Sequence, residues 1–260
     1  MPELKALIFD VDGTLADTER DGHRVAFNLA FAEAGLDWNW TVELYGELLQ
    51  VTGGKERIRL YIEKYLDEFS APRDLSEYIA DLHKSKTRHY LELLQRGEIP
   101  LRPGVERLLL EAREAGLILG IATTTTPDNV TWLLKSTLGE ESLNWFDVIA
   151  AGDVVPAKKP APDIFVYAME EIGLSADECI AFEDSGNGIK SSQGAGLKTI
   201  ITINDYTYDH DFSGAVLVLD KFGEPDQPSI ALQGQLNGKN WLDIEQIKKL
   251  ARTSHRDSEF

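Results

Sequence analysis

The sequence contains a single cysteine, Cys179, among its 260 residues. One thiol cannot form a disulfide bond within the chain, which is typical of proteins in a reducing compartment, so we expect a cytoplasmic location. The cysteine lies in the apolar stretch ECIAFED, where we interpret it as a small core residue rather than as a nucleophile. No apolar run approaches the ~20 residues that a membrane-spanning helix requires, and we expect no targeting segment.

Positive charge is also scarce, because 26 lysine and arginine residues oppose 44 aspartate and glutamate residues, for a formal net charge of -18. Nucleic acids and anionic membranes both attract basic surfaces, so we exclude them as partners. A small anionic substrate is compatible with this composition if bases cluster locally or a metal ion neutralises its charge. Any cluster of bases in so acidic a chain is therefore informative.

What the sequence does contain is an alternation of short apolar segments with amphipathic ones. Six apolar segments bounded by turn residues predict strands, at residues 6–9, 117–122, 147–151, 179–182, 198–203 and 215–219. Amphipathic segments at 105–116, 161–173 and 188–196 predict helices between them. Continuous apolar strands alternating with helices indicate a parallel sheet covered on both faces. We therefore expect an α/β fold with a Rossmann-like, doubly wound parallel sheet.

A different pattern occupies residues 18–95, where no strand is predicted. Helical segments at 41–51, 56–69 and 75–95 predict a small helical domain inserted after the first strand. The stretch GEIPLRPG at 97–104, with two prolines and two glycines, is typical of a linker. The predicted organisation is a core of residues 1–17 and 96–260, interrupted by a helical domain of residues 18–95.

Polar residues that can do chemistry follow several of the predicted strands. In open α/β sheets, ligands bind at the carboxyl ends of the strands, so these positions converge on one edge. Two acids follow the first strand, a TTTT run at 123–126 follows the second, two more acids follow CIAF, and a lysine pair precedes a later helix. The principal candidates are Asp10, Asp12, Thr123, Lys159, Glu183 and Asp184.

Four carboxylates at one edge would raise one another's pKa values unless a cation lay between them. Oxygen ligands suit Mg²⁺, which commonly shares its coordination with a phosphate. A carboxylate beside such an ion could attack phosphorus, and a second carboxyl two residues later could transfer protons. A lysine and a threonine would balance charge on the phosphoryl oxygens. Each motif alone is also typical of an ordinary turn or helix start, and their joint occurrence in order favours phosphoryl transfer.

Four motifs resemble those of the haloacid dehalogenase superfamily of phosphotransferases: DVDGT at 10–14, Thr123 after GIA, Lys159 in KKPAPDIF, and EDSGNG at 183–188. The resemblance implies that Asp10 is the nucleophile and a Mg²⁺ ligand, and that Asp12 is the general acid and base and offers the metal its backbone carbonyl. It implies that Thr123 and Lys159 hold the phosphoryl group. Glu183 and Asp184 would complete the Mg²⁺ shell, directly or through water. The helical insert would be a cap domain that closes over the site and supplies specificity.

Further stretches resemble one subgroup of this superfamily, the CbbY-type proteins: DVDGTLADTERDGHRVAFN, VTGGKERI, IATTTTPDNV, GDVVPAKKPAPDIF and FGEPD. This resemblance implies dephosphorylation of xylulose 1,5-bisphosphate, an inhibitor of Rubisco, to xylulose 5-phosphate. The link to Rubisco and the Calvin cycle would run through this metabolite and not through contact. Some members carry glutamate where this chain has Asp17, which leaves the role of that position open.

Beta-phosphoglucomutases share the cap class, so a sugar phosphomutase is the alternative activity. A dehalogenase is less favoured, because metal-free halide displacement does not require Asp12 or an acidic metal cluster. A non-catalytic binding module is also disfavoured, because every catalytic position carries a competent residue.

A bisphosphate substrate needs a second anion site, and the bases of the insert are candidates. We favour Lys55, in a short glycine-containing loop, with His23, Arg57 and Lys86 as further candidates, and we expect Arg59 to be a solvated surface base. On the core side, free backbone N–H groups at a helix start after the second strand favour phosphate. The side chains there are Thr124, Thr125, Thr126 and Asn129. Our hypothesis places the second phosphate between this helix start and Lys55.

The segment that leads from the first motif into the insert contains two further acids. We interpret Asp17 as a candidate ligand of substrate hydroxyls and Glu19 as a surface residue.

Overall fold

A computed structural model describes residues 3–51, 53–66 and 68–252 of the chain. The chain divides into two compact units, which we call the core unit (Met1–Asp17 with Pro100–Phe260) and the helical unit (Thr18–Ile99). The helical unit thus ends at residue 99, whereas the sequence predicts a boundary at 95. The additional residues belong to it because the side chain of Ile99 is fully buried and lies against Gly22 of the same unit.

The core unit is built on a seven-stranded sheet in the order β3-β2-β1-β4-β5-β6-β7. The strands are β1 (Ala6–Phe9), β2 (Ile118–Thr123), β3 (Val148–Ala151), β4 (Cys179–Glu183), β5 (Lys198–Thr202), β6 (Leu217–Leu219) and β7 (Ala231–Gln233). The neighbours from β3 to β6 pair in parallel, and β7 pairs antiparallel with β6. The six predicted strands and the doubly wound α/β fold are confirmed. The antiparallel edge strand β7 was not predicted.

Helices cover the sheet of the core unit. They are α5 (Val105–Glu114), α6 (Pro127–Leu138), α7 (Asp163–Ile172), α8 (Gly186–Gly194) and α9 (Ile244–Arg252). The helix α7 ends where Gly173 adopts the left-handed conformation, with a φ of 68°, as expected for a glycine that terminates a helix. Among the described helices of both units, none combines the length and the apolar character needed to cross a membrane.

The central strand β1 is completely buried, and its neighbours pack on both of its faces. On one face Ile8 joins a cluster with Ala181 of β4 and Phe165 of α7. On the other, the ring of Phe9 stacks on Phe182 with centroids 4.4 Å apart. Burying such side chains stabilises the fold by roughly 1.5–3 kcal/mol each. This packing fixes the end of β1, and with it the position of Asp10.

The helical unit contains α1 (Arg24–Glu33), α2 (Val42–Leu48), α3 (Gly54–Tyr65) and α4 (Leu75–Gln95), with a π-helical turn at Thr18–His23 leading into α1. The helices α2 and α4 start at side-chain caps, from Thr41 and Asp74. The helix α3 ends at residue 65, short of the predicted 69, and residue 67 of that prediction lies outside the described residues. The core of this unit is rich in aromatic rings, with Phe27, Phe31, Trp40 and Tyr45 buried.

Candidate active site

Parallel pairing brings the polar residues at the ends of β1, β2 and β4 to one edge of the core unit. Phe9, the last residue of β1, is in register with Ile121 of β2 and with Phe182 of β4. The backbone N–H of Asp10 donates to the carbonyl of Phe182 at 2.9 Å, which extends the pairing by one residue. Asp10 therefore leaves the sheet next to the end of β4, as the sequence predicts.

Three buried carboxylates meet at this edge. Asp10, Glu183 and Asp184 each offer an oxygen, and these oxygens lie within 4.8 Å of one another. All three ligand atoms are carboxylate oxygens, which are the donors that hard divalent cations such as Mg²⁺ prefer. Since three acids meet here in a buried setting, these residues fit a divalent cation. We refer to these three residues as the acid trio.

Lys159 lies against the acid trio, and its side chain is only 7% exposed. Its Nζ donates to Asp10 Oδ1 at 2.6 Å, to Glu183 Oε1 at 2.5 Å, and to the carbonyl of Ala122 at 2.8 Å. Burial alone would lower the pKa of this ammonium group, but the charges of the two carboxylates raise it above its ordinary value. Lys159 therefore stays charged and holds one oxygen of Asp10 in a fixed direction.

One lysine does not balance three buried acids, and the remaining repulsion affects their ionisation. Burial raises the pKa of Glu183 to about 7, with Lys159 acting in the opposite direction and Asp10 adding to the rise. Burial, followed by the charges of Asp10 and Glu183, raises the pKa of Asp184 well above its ordinary value. A bound cation would relieve this repulsion and favour the ionised form of both carboxyls.

The loop after β1 contains Asp12 and turns sharply at Gly13. Gly13 has a φ of +84°, and a Cβ atom at this position would collide with the carboxylate of Asp184. The turn is closed by a hydrogen bond from the N–H of Gly13 to the carbonyl of Ala16, at 2.7 Å. Asp12 is half-buried in this turn. Its predicted role at the metal involves its backbone carbonyl, so its carboxyl is not expected among the acid trio.

The hydroxyl run after β2 divides into residues with different environments. Thr123 is buried at the end of the strand, and its Oγ1 accepts from the N–H of Thr125 at 3.3 Å. Thr126 caps α6 by accepting from the N–H of Asn129. The amide of Asn129 in turn donates to Thr125 Oγ1 at 3.0 Å, whereas Thr124 is exposed. Only Thr123 among these five combines burial with a position at a strand end.

Two polar residues that the sequence analysis did not single out contact the site. The amide of Asn204, just after β5, donates to Asp184 Oδ2 at 2.7 Å and so orients that carboxylate. The guanidinium of Arg102 donates to the carbonyl of Gly13, and its Nε lies 3.4 Å from Asp17 Oδ1. Asp17, predicted to read substrate hydroxyls, therefore has an ion-pair partner within the core unit.

The helical unit contains a separate cluster of buried bases. Lys86 Nζ lies 2.8 Å from His23 Nδ1, and it also lies over the rings of Phe27 and Tyr90 at 5.0 and 5.1 Å. The imidazole of His23 stacks on Tyr90 with centroids 3.8 Å apart. Burial lowers the pKa of His23 well below its usual value, and the charges of Lys86, Arg57 and His83 lower it further. We call His23, Arg57 and Lys86 the basic cluster.

Arg57 of the basic cluster is held by a chain of hydrogen bonds. Its Nη1 donates to the hydroxyl of Tyr45 at 2.9 Å, and that hydroxyl donates to Glu19 Oε2 at 2.5 Å. Glu19, interpreted from the sequence as a surface residue, is half-buried and is part of this chain of hydrogen bonds. Lys55 is exposed, whereas Arg57 and Lys86 are buried. The cluster thus depends on Arg57 and Lys86 more than on the base that the sequence favoured.

The single cysteine lies at the start of β4, at the opposite end of that strand from Glu183. Cys179 is buried in the cluster that also contains Ile8, and burial raises the pKa of its thiol to about 12. A thiol of such high pKa is a poor nucleophile, in agreement with its interpretation as a core residue.

Residues 4–196 match the family described as haloacid dehalogenase-like hydrolase. The match covers β1 through the end of α8, and so includes the strand ends that carry the acid trio. The chain belongs to this family.

Relatives support the same assignment and place the chain among CbbY-type proteins. The plasmid-borne protein CbbY of Cupriavidus necator is 48% identical over 225 residues, which cover 86% of this chain and 88% of the relative. A crystal structure of CbbY from Rhodobacter sphaeroides in complex with phosphate has 46% identity and a TM-score of 0.70, covering 85% of this chain and 96% of that one. A mutant of the R. sphaeroides protein in complex with xylulose-(1,5)bisphosphate has 45% identity and a TM-score of 0.69, with the same coverage.

These matches confirm the predicted superfamily, the CbbY-type subgroup and a phosphatase of the haloacid dehalogenase type.

Proposed function

We propose that this protein is a Mg²⁺-dependent sugar-phosphate phosphatase that acts through an aspartyl-phosphate intermediate, with xylulose 1,5-bisphosphate as substrate and xylulose 5-phosphate as product. The observation that carries this proposal is the buried acid trio, in which Lys159 holds one oxygen of Asp10 at 2.6 Å. The lone, buried Cys179 is compatible with work in the reducing cytoplasm. Any link to Rubisco would run through the sugar phosphate.

In the first step, Asp10 attacks the phosphorus of the substrate with the carboxylate oxygen that Lys159 does not bind. The bond between phosphorus and the sugar oxygen breaks, and the carboxyl of Asp12 gives its proton to the departing alkoxide. The positive charge of Lys159 and the hydroxyl of Thr123 would stabilise the phosphoryl oxygens, where negative charge is concentrated.

In the second step, Asp12, now ionised, takes a proton from a water molecule that attacks the phosphorus of the aspartyl-phosphate. The acyl phosphate bond breaks, inorganic phosphate leaves, and Asp10 is regenerated. A Mg²⁺ ion, held by Asp10, Glu183 and Asp184 and by the carbonyl of Asp12, would supply positive charge to the phosphoryl group.

The basic cluster supports a substrate with a second anionic group. In a chain of net charge -18, two buried bases and a histidine near one another are unusual, and a phosphate would bind favourably to Arg57 and Lys86. A sugar bisphosphate carries such a group, and the R. sphaeroides structure with xylulose-(1,5)bisphosphate supports this substrate class for a relative. We therefore assign the basic cluster to recognition of the phosphate that is not cleaved.

The test combines a substrate panel with a nucleophile variant. Phosphate release is measured with xylulose 1,5-bisphosphate, xylulose 5-phosphate and glucose 1-phosphate, after removal of metals and again after addition of Mg²⁺. We expect the bisphosphate to have the highest kcat/KM, with activity restored by Mg²⁺. Asp10→Asn should lower kcat by at least about 10⁴-fold. The matched control is Asp177→Asn, which changes an exposed acid in the core unit.

Full activity of Asp10→Asn would remove the nucleophile assignment. Equal kcat/KM values for all three sugar phosphates would contradict xylulose 1,5-bisphosphate as the substrate, but would still support a phosphatase activity. Transfer of the phosphoryl group between sugar positions without net release of phosphate would establish a phosphomutase instead.

A further inference from the structure

Arg102 is a buried arginine in the loop through which the chain re-enters the core unit. An isolated bridge pairs the preceding residue, Leu101, with Ala16, and the N–H of Arg102 donates to the carbonyl of Leu15 at 2.8 Å. These backbone contacts place Arg102 beside the loop that follows β1. Only 6% of its side chain is exposed, so its charge must be satisfied inside the protein.

The guanidinium group of Arg102 donates to backbone carbonyls of three separate segments. Its Nη1 donates to the carbonyl of Gly13, and also to the carbonyl and the hydroxyl of Thr202 at 3.2 and 3.1 Å. Its Nη2 donates to the carbonyl of Ile203, and to that of Asp220 at 2.8 Å. One side chain therefore ties the loop after β1 to the ends of β5 and β6.

Among these hydrogen bonds, the one from Arg102 to the carbonyl of Gly13 bears on catalysis. Gly13 follows Asp12 directly, and only a few backbone torsions separate the Gly13 carbonyl from the Asp12 side chain, so holding that carbonyl restricts the direction of the side chain. A Cβ atom at Gly13 would collide with the carboxylate of Asp184, which leaves this turn little freedom on its other side. The Nε of Arg102 further pairs with Asp17, at the end of the same loop.

We infer that Arg102 is a positioning residue, which holds the Gly13 peptide so that the carboxyl of Asp12 stays aligned with the leaving oxygen of the substrate. This inference rests on the proposed role of Asp12 as the general acid. Misalignment of an acid by about 1 Å can lower a rate by about 100-fold. Lysine cannot replace this arginine, because a single ammonium group lacks the planar array of five donors that reaches three segments.

The chain offers a matched control in Arg107. Its Nη2 donates to the carbonyls of Gly223 and Leu242 at 2.8 and 2.9 Å, and its Nη1 pairs with Glu111 at 2.9 Å. Arg107 is thus also a largely buried arginine that ties backbone segments of the core unit together. Its partners among the described residues lie outside the loop after β1, so its replacement should affect folding without affecting Asp12.

The experiment compares R102K with R107K on two substrates, using kcat/KM. One is an alkyl phosphate such as the sugar bisphosphate, whose leaving alkoxide needs a proton. The other is p-nitrophenyl phosphate, whose leaving group departs without one. We expect R102K to lower kcat/KM by about 100-fold for the alkyl phosphate and by less than about 5-fold for the aryl phosphate. R107K should leave the ratio of the two values unchanged.

A double-mutant cycle connects the effect to Asp12. Asp12→Asn should itself reduce kcat/KM selectively for the alkyl phosphate, and adding R102K to it should cause no further selective loss. If Asp12→Asn shows no selectivity, the proposed role of Asp12 fails, whatever R102K does. If Asp12→Asn is selective but R102K lowers both substrates equally, the inference about Arg102 is overturned.

Folding is checked by circular dichroism and thermal unfolding, with R102Q as a second variant. Failure of both Arg102 variants to fold, while R107K and R107Q fold, would assign Arg102 a purely structural role and would also overturn the inference.

Discussion

The two units of this protein bury charge of opposite sign, and they neutralise it in different ways. Among the described residues of the core unit, the acid trio is in contact with one ammonium group, that of Lys159. In the helical unit, the bases of the basic cluster lie against aromatic rings, and Arg57 reaches Glu19 through the hydroxyl of Tyr45. One cluster is thus suited to bind a cation, and the other to bind an anion.

The overall charge of a chain therefore says little about the charge of its individual sites. A net charge of -18 would favour cations everywhere, yet the helical unit concentrates buried bases. Burying charges of one sign together is unfavourable unless a ligand compensates. Each cluster is therefore costly in the free protein and becomes favourable with its ligand, which is the behaviour expected of a binding site.

Among the variants that test this comparison, the largest effect should come from removing the ammonium group of Lys159 from the acid trio. Lys159→Met leaves Asp10 and Glu183 buried without it, so we expect kcat to fall by at least about 10³-fold. The free energy of unfolding should fall by about 3–5 kcal/mol. The loss of stability should be greater at pH 8 than at pH 5, because burial raises the pKa of Glu183 to about 7 and its carboxyl is ionised at the higher pH. Steady-state kinetics and urea denaturation measure both quantities.

The adjacent Lys158→Met is the control for this variant, because the Lys158 side chain is half exposed and pairs with the exposed Asp153. It should change the free energy of unfolding by no more than about 0.5 kcal/mol. Equal kinetic losses in the two variants would contradict the role of Lys159 at the acid trio.

A smaller effect, confined to binding, is expected in the basic cluster. Lys86→Met should raise KM for a sugar bisphosphate by about 10- to 100-fold, since a hydrogen bond to a charged group contributes about 1.5–3 kcal/mol. KM for p-nitrophenyl phosphate, which has no second phosphate, should not change. Lys84→Met is the control, because Lys84 lies on the same helix and is exposed. An equal rise of KM for both substrates would contradict the assignment of the basic cluster to the phosphate that is not cleaved.

Metal binding should depend on pH through the acid trio. Burial raises the pKa of Glu183 from an ordinary 4.5 to about 7, so the folded metal-free protein keeps a proton that the unfolded chain has lost between these values. The free energy of unfolding should therefore fall as pH rises through this range, by on the order of 1–3 kcal/mol. Mg²⁺ should raise the melting temperature more at pH 8 than at pH 5.

Glu183→Gln provides the comparison for this pH dependence, because it removes the titrating carboxyl. The variant should show a flatter dependence of stability on pH and a smaller shift with Mg²⁺. A metal-induced shift that is the same at both pH values, in the parent protein, would contradict the assignment.

The acid trio could be predicted from the sequence because its signal is local. Asp10 and Glu183 directly follow or end apolar strands, and parallel pairing then brings them together without further information. Asn204 and Arg102 give no such signal. Arg102 lies in a stretch that is typical of a linker, and its partner Gly13 is 89 residues away in the chain. Arg102 and Gly13 come into contact only when the chain is folded, so the sequence alone does not predict it.

Burial was equally hard to predict for the bases of the helical unit. The sequence favoured Lys55 because of its position in a loop, but Lys55 is exposed. Lys86 is buried beside the ring of Tyr90 from its own helix and the ring of Phe27 from α1, and the contact with Phe27 forms only in the folded unit. The short edge strand β7 was missed for a related reason. Its three residues, ALQ, are partly or largely exposed, so they carry neither a buried run nor a clear alternation.

The smallest expected effect concerns His23, and it has the opposite sign to that of Glu183. Burial, then Lys86, Arg57 and His83, keep the pKa of His23 well below 6.5, so the unfolded chain binds a proton near pH 6.5 that the folded protein does not bind. The free energy of unfolding should therefore fall as pH drops below about 6.5, by at most about 1.4 kcal/mol per pH unit. His23→Asn should reduce this slope in urea denaturation at pH 5, 6 and 7.

Because the charge of Lys86 contributes to the lowered pKa of His23, Lys86→Met should raise the pKa of His23, as measured by NMR titration of the imidazole. An unchanged slope in His23→Asn, or an unchanged pKa in Lys86→Met, would show that the two bases do not act as one cluster.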